Sequence, residues 1–385
     1  MRFKVKAARL AMLLVPALAL AAPALAQVRP TTLSDSQEPG SVIVFPKFIQ
    51  GDVALPEGAK APITELEIGV VCPEGVVCPE HEPVKIRFHW VCGTTEADVA
   101  GSFVCKETDF DITATVWEKI VLTPNGETIS QYTAGLPNHF APPPECPQGG
   151  GYLIGWVINP ANDQPIKFDG LIGDAHLRPG GGILGSPTAL ADYNAIPIQA
   201  DPALANGAAS TLSANGALVF DGAAGHYQAV TGQVIGDVRY SNFTTGPTFT
   251  QGLLTLLTLD VISNRPNFPT HVDLDFFGGN PSTIGSENSL STSTEFICWG
   301  EVSLPAISSA LTTTVMGRKG VFVSDQAVKV ALDGITDTTG PVTLLGLSEV
   351  LEGGVFPPTA PWPRASFSGL LNSSVPVATT FVPND

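Results

Sequence analysis

The chain has 385 residues, a formal net charge of −17 and only 14% charged residues. So acidic a chain is short of the Lys and Arg that phosphate contacts require, and we expect no nucleic-acid partner. Sparse charge with 44% hydrophobic residues excludes a disordered acidic tail and indicates a globular protein. Its length exceeds what one core usually serves, which favours two domains or one large sandwich.

The N-terminus has the pattern of a cleaved secretory signal. Four basic residues lie within positions 2–9, an apolar run fills 10–25, and Ala24-Leu-Ala26 precedes Gln27. A membrane anchor is the alternative, but prolines at 16 and 23 interrupt the run, which is shorter than the roughly 20 residues of a spanning helix. We therefore expect residues 1–26 to be removed, leaving an extracellular or periplasmic protein of net charge −21 with no membrane insertion.

The first half of the mature chain predicts strands separated by turns. Residues 39–46 form a β-branched and aromatic run near a sheet edge, and residues 83–92 alternate so that Lys85, Arg87 and His89 share the wetter face. Residues 110–122 predict a second long strand, with a turn at 123–126 leading to a hairpin partner at 127–132.

Residues 150–178 predict a central hairpin. The first strand places Tyr152, Ile154, Trp156 and Ile158 on one face and Leu153, Gly155 and Val157 on the other, so both faces are apolar and the strand is expected to be buried. The turn-forming connector 159–165 then leads to a return strand that buries Ile166, Phe168 and Ile172. This hairpin follows the Pro- and Gly-rich segment 137–151, the best linker candidate.

The remaining chain continues the strand pattern. Residues 188–200 are the one helical candidate, and 201–226 predict a surface loop with one short strand. Further strands are expected at 252–262, 296–304, 321–332 and 341–351. Together with 39 glycines and 34 prolines, this predicts an all-β protein of one large or two packed antiparallel, jelly-roll-like β-sandwiches. We place the domains at 27–148, a Cys-rich N-terminal β domain, and 149–385, a C-terminal sandwich.

Six cysteines in an exported chain indicate disulfides, and these are Cys72, Cys78, Cys92, Cys105, Cys146 and Cys298. The tandem copies around the first two predict a 72–78 bond. Two facing strand ends predict 92–105, which leaves 146–298. A zinc site from Cys72, Cys78, His81 and His89 is the alternative, although structural zinc prefers cysteines two to four residues apart and here five residues intervene.

Two groups of polar residues are candidate sites. Asp174, His176 and Arg178 alternate at the end of the return strand and point the same way, as an acid/base or anion site requires, although a solvated strand end has the same pattern. Asp273, Asp275 and Asn280 could offer hard oxygen ligands to calcium, the one cofactor considered. Asp109 and Asp111 have the same spacing and also fit the wet face of a strand.

Several segments resemble uncharacterised secreted bacterial β-rich proteins. They are Gly40-Ser-Val-Ile-Val-Phe-Pro-Lys47, Cys105-Lys-Glu-Thr-Asp-Phe-Asp111, the central hairpin and Phe296-Ile-Cys-Trp299. The resemblance implies export and a β-rich fold, and it implies no activity.

Common catalytic motifs are absent from the sequence. Neither Gly-x-Ser-x-Gly nor His-Glu-x-x-His occurs, so we expect a secreted, non-enzymatic surface, matrix or assembly protein with a self-assembly or cell-surface partner. The first alternative is a carbohydrate- or ligand-binding module, for which Trp362 between two prolines is the exposed candidate. The second is a hydrolase that uses Asp174 and His176.

Overall fold

The computed structural model describes most of the chain between residues 38 and 382. The described ranges are 38–50, 63–79, 82–94, 105–124, 128–129, 141–178, 191–208, 213–214, 217–239, 248–261, 269–277, 289–303, 327–336, 340–354, 365–370 and 372–382. The predicted signal sequence at 1–26, His81, Asn280 and Trp362 lie outside them.

The described ranges contain strands and no helix. In chain order the strands are β1 (Val42–Ile49), β2 (Ile63–Val70), β3 (Pro83–Cys92), β4 (Lys106–Thr115), β5 (Lys119–Leu122), β6 (Thr128–Ile129), β7 (Gly150–Ile158), β8 (Leu171–Arg178), β9 (Ala191–Asn194), β10 (Ile196–Ile198), β11 (Ser213–Ala214), β12 (Ala217–Phe220), β13 (Val230–Arg239), β14 (Thr248–Leu257), β15 (Thr270–Phe277), β16 (Ser289–Phe296), β17 (Trp299–Ser303), β18 (Ala327–Thr336), β19 (Gly340–Pro341), β20 (Leu345–Gly354), β21 (Ala365–Leu370), β22 (Asn372–Val377) and β23 (Thr379–Phe381).

The predicted all-β class is therefore confirmed. Every described strand pairing is antiparallel, apart from one isolated bridge between Phe220 and Tyr227. The helical candidate at 188–200 is wrong, because its described residues form β9 and β10. In this segment Tyr193, Ile196 and Ile198 need buried sheet positions, and burial overrides the weak local preference for a helical turn.

Two five-stranded sheets form a sandwich in the first part of the fold. The central sheet has the order β10-β1-β7-β3-β4, and the outer sheet has the order β6-β5-β2-β8-β9. Phe45, Phe88 and Trp90 of the central sheet pack with Leu66 and Ile68 of the outer sheet in one core. Because side chains alternate along these strands, each sheet presents one apolar face to this core.

The opposite face of the central sheet is also buried. Its side chains, among them Val44, Ile154 and Trp156, share a second core with Leu254 and Phe381 from later strands. These later strands form three further sheets, β16-β15-β18-β13-β22, β17-β14-β20-β21 and β11-β12-β23, which we call the C-terminal sheets. The central sheet is thus the middle layer, and this explains why all nine residues of β7 are buried.

The predicted central hairpin is correct in its first strand and its turn but wrong in its pairing. β7 pairs with β1 and β3 in the central sheet, whereas β8 pairs with β2 and β9 in the outer sheet. The connector does turn, with Asn159 Oδ1 accepting from the Ala161 amide at 2.9 Å and Asp163 in the left-handed region. Since β1 and β3 occupy both edges of β7, the return strand has no edge of β7 to pair with and lies in the outer sheet.

Two other boundaries differ from the prediction. The division at 148/149 falls inside the first sandwich, because β7, β8 and β10 pair with β1, β2 and β3 and β9 pairs with β8. The predicted strand 110–122 is two strands, because β4 belongs to the central sheet and β5 to the outer sheet. The turn between them contains Trp117 at φ 74°.

All six cysteines form disulfides, and one predicted pairing of three is correct. Cys72 bonds Cys78 as predicted, but Cys92 bonds Cys146 and Cys105 bonds Cys298. The predicted 92–105 and 146–298 bonds are wrong because segment 141–149 packs against the end of β3, where Trp90 Nε1 donates to Ala141 O at 2.9 Å and Cys146 lies beside Cys92. Cys105 therefore bonds Cys298, which lies in the turn between β16 and β17 of the C-terminal sheets.

Candidate functional site

Two of the three polar residues predicted on β8, Asp174 and His176, lie on the same face of the strand. Asp174 is exposed and His176 is partly exposed, on the face of the outer sheet turned away from the core, and Arg178 ends the strand. His176 does not pair with Asp174. Its Nδ1 lies 2.7 Å from Asp192 Oδ1 on β9, and its Nε2 lies 3.8 Å from Glu67 Oε1 on β2.

These contacts belong to a charged row across the outer sheet. Lys119 Nζ on β5 lies 2.7 Å from Glu67 Oε2, so the row runs Lys119, Glu67, His176 and Asp192 over four neighbouring strands. Cross-strand polar pairs, of which Lys119–Glu67 carries opposite charges, are a common stabilising pattern of a solvated sheet face. For Asp174 and His176 this is the geometry of a solvated strand face.

The calcium candidates lie on β15. Asp273 is exposed, and Asp275 accepts a hydrogen bond from Ser291 on β16. Within the described ranges no group of three or more His, Cys, Asp or Glu side chains is placed to hold a metal. Calcium at Asp273, Asp275 and Asn280 therefore stays a hypothesis, and Asn280 lies outside the described residues.

The zinc alternative is wrong because two of its proposed ligands are not free thiols. Cys72 and Cys78 are bonded to each other, and a disulfide sulfur cannot act as the thiolate that zinc requires. His89, the fourth proposed ligand, is buried in a different environment beside Glu107 on β4.

Lys85 and Arg87 of β3 form a charged cluster with Asp111 and Asp163. They lie on the same face of β3 as His89. Lys85 Nζ lies 2.9 Å from Asp111 Oδ2 and 2.7 Å from Asp163 Oδ1, and Arg87 Nε donates to Asp111 Oδ1 at 3.0 Å. Burial raises the pKa of Asp111, but hydrogen bonds from Arg87 and Lys85 and their charges outweigh burial and hold that pKa below its ordinary value. Asp109, the neighbouring calcium candidate on β4, is exposed.

Further along the same face of β3, His89 is covered by the C-terminal sheets. His89 is fully buried, its Nδ1 pairs with Glu107, and its ring stacks on Trp156 at 4.7 Å between centroids. Its Nε2 has no hydrogen-bond partner among the described residues. The alternation predicted a wet position for His89, and the layer that covers it comes from residues more than a hundred positions away in sequence.

Trp117 is an exposed aromatic at the turn between β4 and β5. Its side chain is 70% exposed, and its backbone is held in the left-handed region by hydrogen bonds, with the Trp117 amide donating to Val70 O at 2.6 Å. The Glu118 carboxylate accepts from the Thr115 amide at 2.7 Å and closes the turn. A bulky residue in this conformation is strained, and such strain is concentrated at functional positions.

The third polar cluster is buried between the central sheet and the C-terminal sheets. Lys47 on β1 is 4% exposed, and its Nζ contacts Glu301 on β17 and lies 2.5 Å from Glu349 Oε2 on β20. Burial alone would lower the pKa of Lys47, but the two carboxylates outweigh it and raise that pKa above its ordinary value. The Tyr193 hydroxyl binds the backbone of Lys47, accepting from its amide at 3.1 Å and donating to its carbonyl.

Sequence reasoning missed the buried cluster of Lys47, Glu301 and Glu349. Lys47 directly follows an apolar strand segment and Pro46, and a lysine inside such a run is the available signal for a buried cation. Glu349 gives a similar signal between Leu347 and Val350, but nothing local indicates that it meets Lys47 across 302 residues.

Comparison with known proteins adds little to this geometry. No family model matches the chain, and no curated protein sequence matches it. Among solved structures, a chain from the crystal structure of an IBDV viral particle aligns with 91% of this chain and 73% of its own length, at 14% identity and a TM-score of 0.13. A TM-score of this size supports no conclusion, so the architecture rests on the strand pairings.

The part of the chain that the structure describes has no helix with the length and apolar character needed to span a bilayer.

Proposed function

We propose that the protein is an exported, non-catalytic scaffold that works at a surface, in a matrix or in an assembly. The observation that carries this proposal is the construction of the central sheet, which is buried on both faces and tied to the C-terminal sheets by the Cys105–Cys298 bond. Covalent and packed connections between layers stabilise the folded body against unfolding, as a component of a surface or an assembly requires. Three disulfides also support export to an oxidising compartment.

Cell fractionation with light scattering tests this function. We expect the native protein in the surface or matrix fraction and, after purification, a mass above that of one chain. A freely diffusing exported protein from the same cells is the fractionation control. Recovery of the protein only as a monomer, in the same soluble fraction as the control, would contradict the proposal.

A second candidate, a carbohydrate- or ligand-binding module, is favoured by Trp117. An aromatic ring that is exposed on a strained turn offers a flat apolar face with a polar N–H, which suits stacking against a ligand ring. On a glycan array we expect binding that Trp117→Ala abolishes. Val77→Ala is the matched control, because Val77 is also exposed and apolar, at 94%. No binding by the wild-type protein would remove this candidate.

A further inference from the structure

We infer that Lys47 and Glu349 are a covalent cross-link site, at which the lysine Nζ and the glutamate Cδ join in an intramolecular amide bond with Glu301 as the proton carrier. The two reacting side chains are 5% and 4% exposed, and Nζ already lies 2.5 Å from Glu349 Oε2. Charged side chains at this depth are rare, and an amide would replace the buried ion pair with a neutral group. This inference does not depend on the proposed function.

The fold positions both partners from rigid elements. The register of β1 against β7 shifts between Phe45 and Phe48, and such a bulge re-aims the side chains it contains, here Lys47. The Tyr193 hydroxyl then holds the Lys47 backbone at both its amide and its carbonyl. Lys47 is thus fixed from its own sheet and from β9 of the outer sheet.

Glu301 and Glu349 approach from the two strands that flank β14. Leu253 of β14 pairs with Glu349 on one side, and Thr255 pairs with Glu301 on the other. Both carboxylates therefore reach Lys47 from one sheet. Thr255 Oγ1 also lies 3.4 Å from Glu301 Oε1 and orients the second carboxylate.

The reaction is a condensation that needs no oxidant or external reagent. Glu301 takes a proton from the Lys47 ammonium and passes it to Glu349, and the neutral amine attacks Glu349 Cδ. The C–N bond forms, the remaining extra proton moves through Glu301 to the departing hydroxyl, and the C–O bond breaks to release water. Glu301 ends in its initial state, and its side chain, 31% exposed, lies on the route to solvent.

Two physical effects favour this reaction over a resting ion pair. Fixing amine and carboxyl in contact converts a bimolecular condensation into an intramolecular step with a high effective concentration. Burial keeps out the water that would hydrolyse the amide, whereas in solution excess water favours the separated acid and amine. The raised pKa of Lys47 makes the neutral amine scarce and the step slow, but a single turnover per molecule after folding is sufficient.

Intact mass spectrometry of the mature protein tests the inference. After reduction and alkylation of all cysteines, we expect the wild-type mass to be one water molecule lower than the mass calculated for the mature sequence with six alkylated cysteines. Proteolysis should release a branched peptide that joins the Lys47 and Glu349 segments. A folded wild-type protein with the full sequence mass would overturn the inference, whatever the variants do.

Variants distinguish a covalent cross-link between Lys47 and Glu349 from a non-covalent ion pair. Lys47→Arg keeps a cation but cannot form the amide, so we expect the full mass and, on a reducing denaturing gel, slower migration because the 302-residue loop is open. Glu301→Gln should show partial or no mass loss. Lys85→Arg is the matched control, since Lys85 also contacts two carboxylates but is 22% exposed, and its mass deficit should equal that of wild type. A deficit retained in Lys47→Arg would contradict the assignment of the site.

Discussion

At the scale of single residues, burial is expected to make the contact between His89 and Glu107 contribute more to stability than the exposed contact between His271 and Glu295. Both side chains of this pair are at most 4% exposed, and the imidazole is stacked on Trp156. Removing one member of a buried hydrogen-bonded pair leaves the polar atoms of the other desolvated and without a partner, which costs more than the pair itself contributes. The chain offers a direct comparison in His271 and Glu295, whose closest atoms lie 3.7 Å apart at a half-exposed position.

We expect Glu107→Ala to lower the free energy of unfolding by about 3 kcal/mol. Glu295→Ala, the exposed control, should change it by no more than about 0.5 kcal/mol. Equilibrium denaturation with urea, monitored by tryptophan fluorescence, measures both values. Equal effects of the two substitutions would show that the burial of His89 and Glu107 does not govern their contribution.

At the scale of elements, the charged cluster on β3 and β4 makes one part of the fold sensitive to acid. The folded-state pKa of Asp111 lies below its ordinary value of 3.8, so its ion pairs with Lys85 and Arg87 contribute stability above that pH. The contribution is lost as the pH falls through the lower, folded-state pKa.

Asp111→Asn should therefore flatten the loss of stability below about pH 4 and cost about 1 kcal/mol at neutral pH. Denaturation at a series of pH values measures this slope. Asp109→Asn, an exposed position on the same strand, is the control and should retain the wild-type slope. A wild-type acid slope in Asp111→Asn would exclude Asp111 as the group responsible.

The buried strand β7 depends on glycine where other backbone comes close. A Cβ at Gly151 would lie 2.1 Å from the Val91 carbonyl oxygen and 3.0 Å from the Phe48 ring. Since the neighbouring backbone belongs to a paired strand, it cannot move away without breaking the sheet.

We expect Gly151→Ala to lower the free energy of unfolding by about 3 kcal/mol. Gly75→Ala is the control, because a Cβ there would meet nothing within 4 Å and only the left-handed backbone, φ +73°, opposes it. That strain should cost about 1 kcal/mol. Thermal and chemical denaturation of the two variants compare the effects, and a smaller loss at Gly151 than at Gly75 would contradict the close approach.

At the scale of the whole molecule, the three disulfides constrain the chain over very different lengths. Cys72 and Cys78 are six positions apart, whereas Cys105 and Cys298 are separated by 193 and connect the beginning of β4 to the turn between β16 and β17. The longer loop restricts the unfolded chain more, so its closure contributes more to stability.

Replacing Cys105 and Cys298 together by Ala should lower the free energy of unfolding by about 5 kcal/mol, and replacing Cys72 and Cys78 by about 2 kcal/mol. Guanidinium denaturation of the two double variants tests the difference. If the short bond proved the more important, the disulfides would act mainly through local native structure and not through chain entropy.

The sequence by itself determined the properties that depend on residues close together in the chain. Period-two alternation predicted the strands, the two apolar faces of 150–158 predicted a buried strand, and the tandem Val-Val-Cys-Pro-Glu copies predicted the Cys72–Cys78 bond. Each depends on contacts within a few positions, where side-chain direction follows from backbone geometry.

Only the tertiary structure decided which strand lies beside which. β7 pairs with β1 and β3 and not with β8, Cys92 bonds Cys146, and Lys47 meets two carboxylates from distant strands. Alternation shows that a face must be covered but not by which segment, because many pairings bury similar apolar area. The choice depends on how all layers fit together, and that is why His89, on a face that alternation marks as wet, lies in the interior.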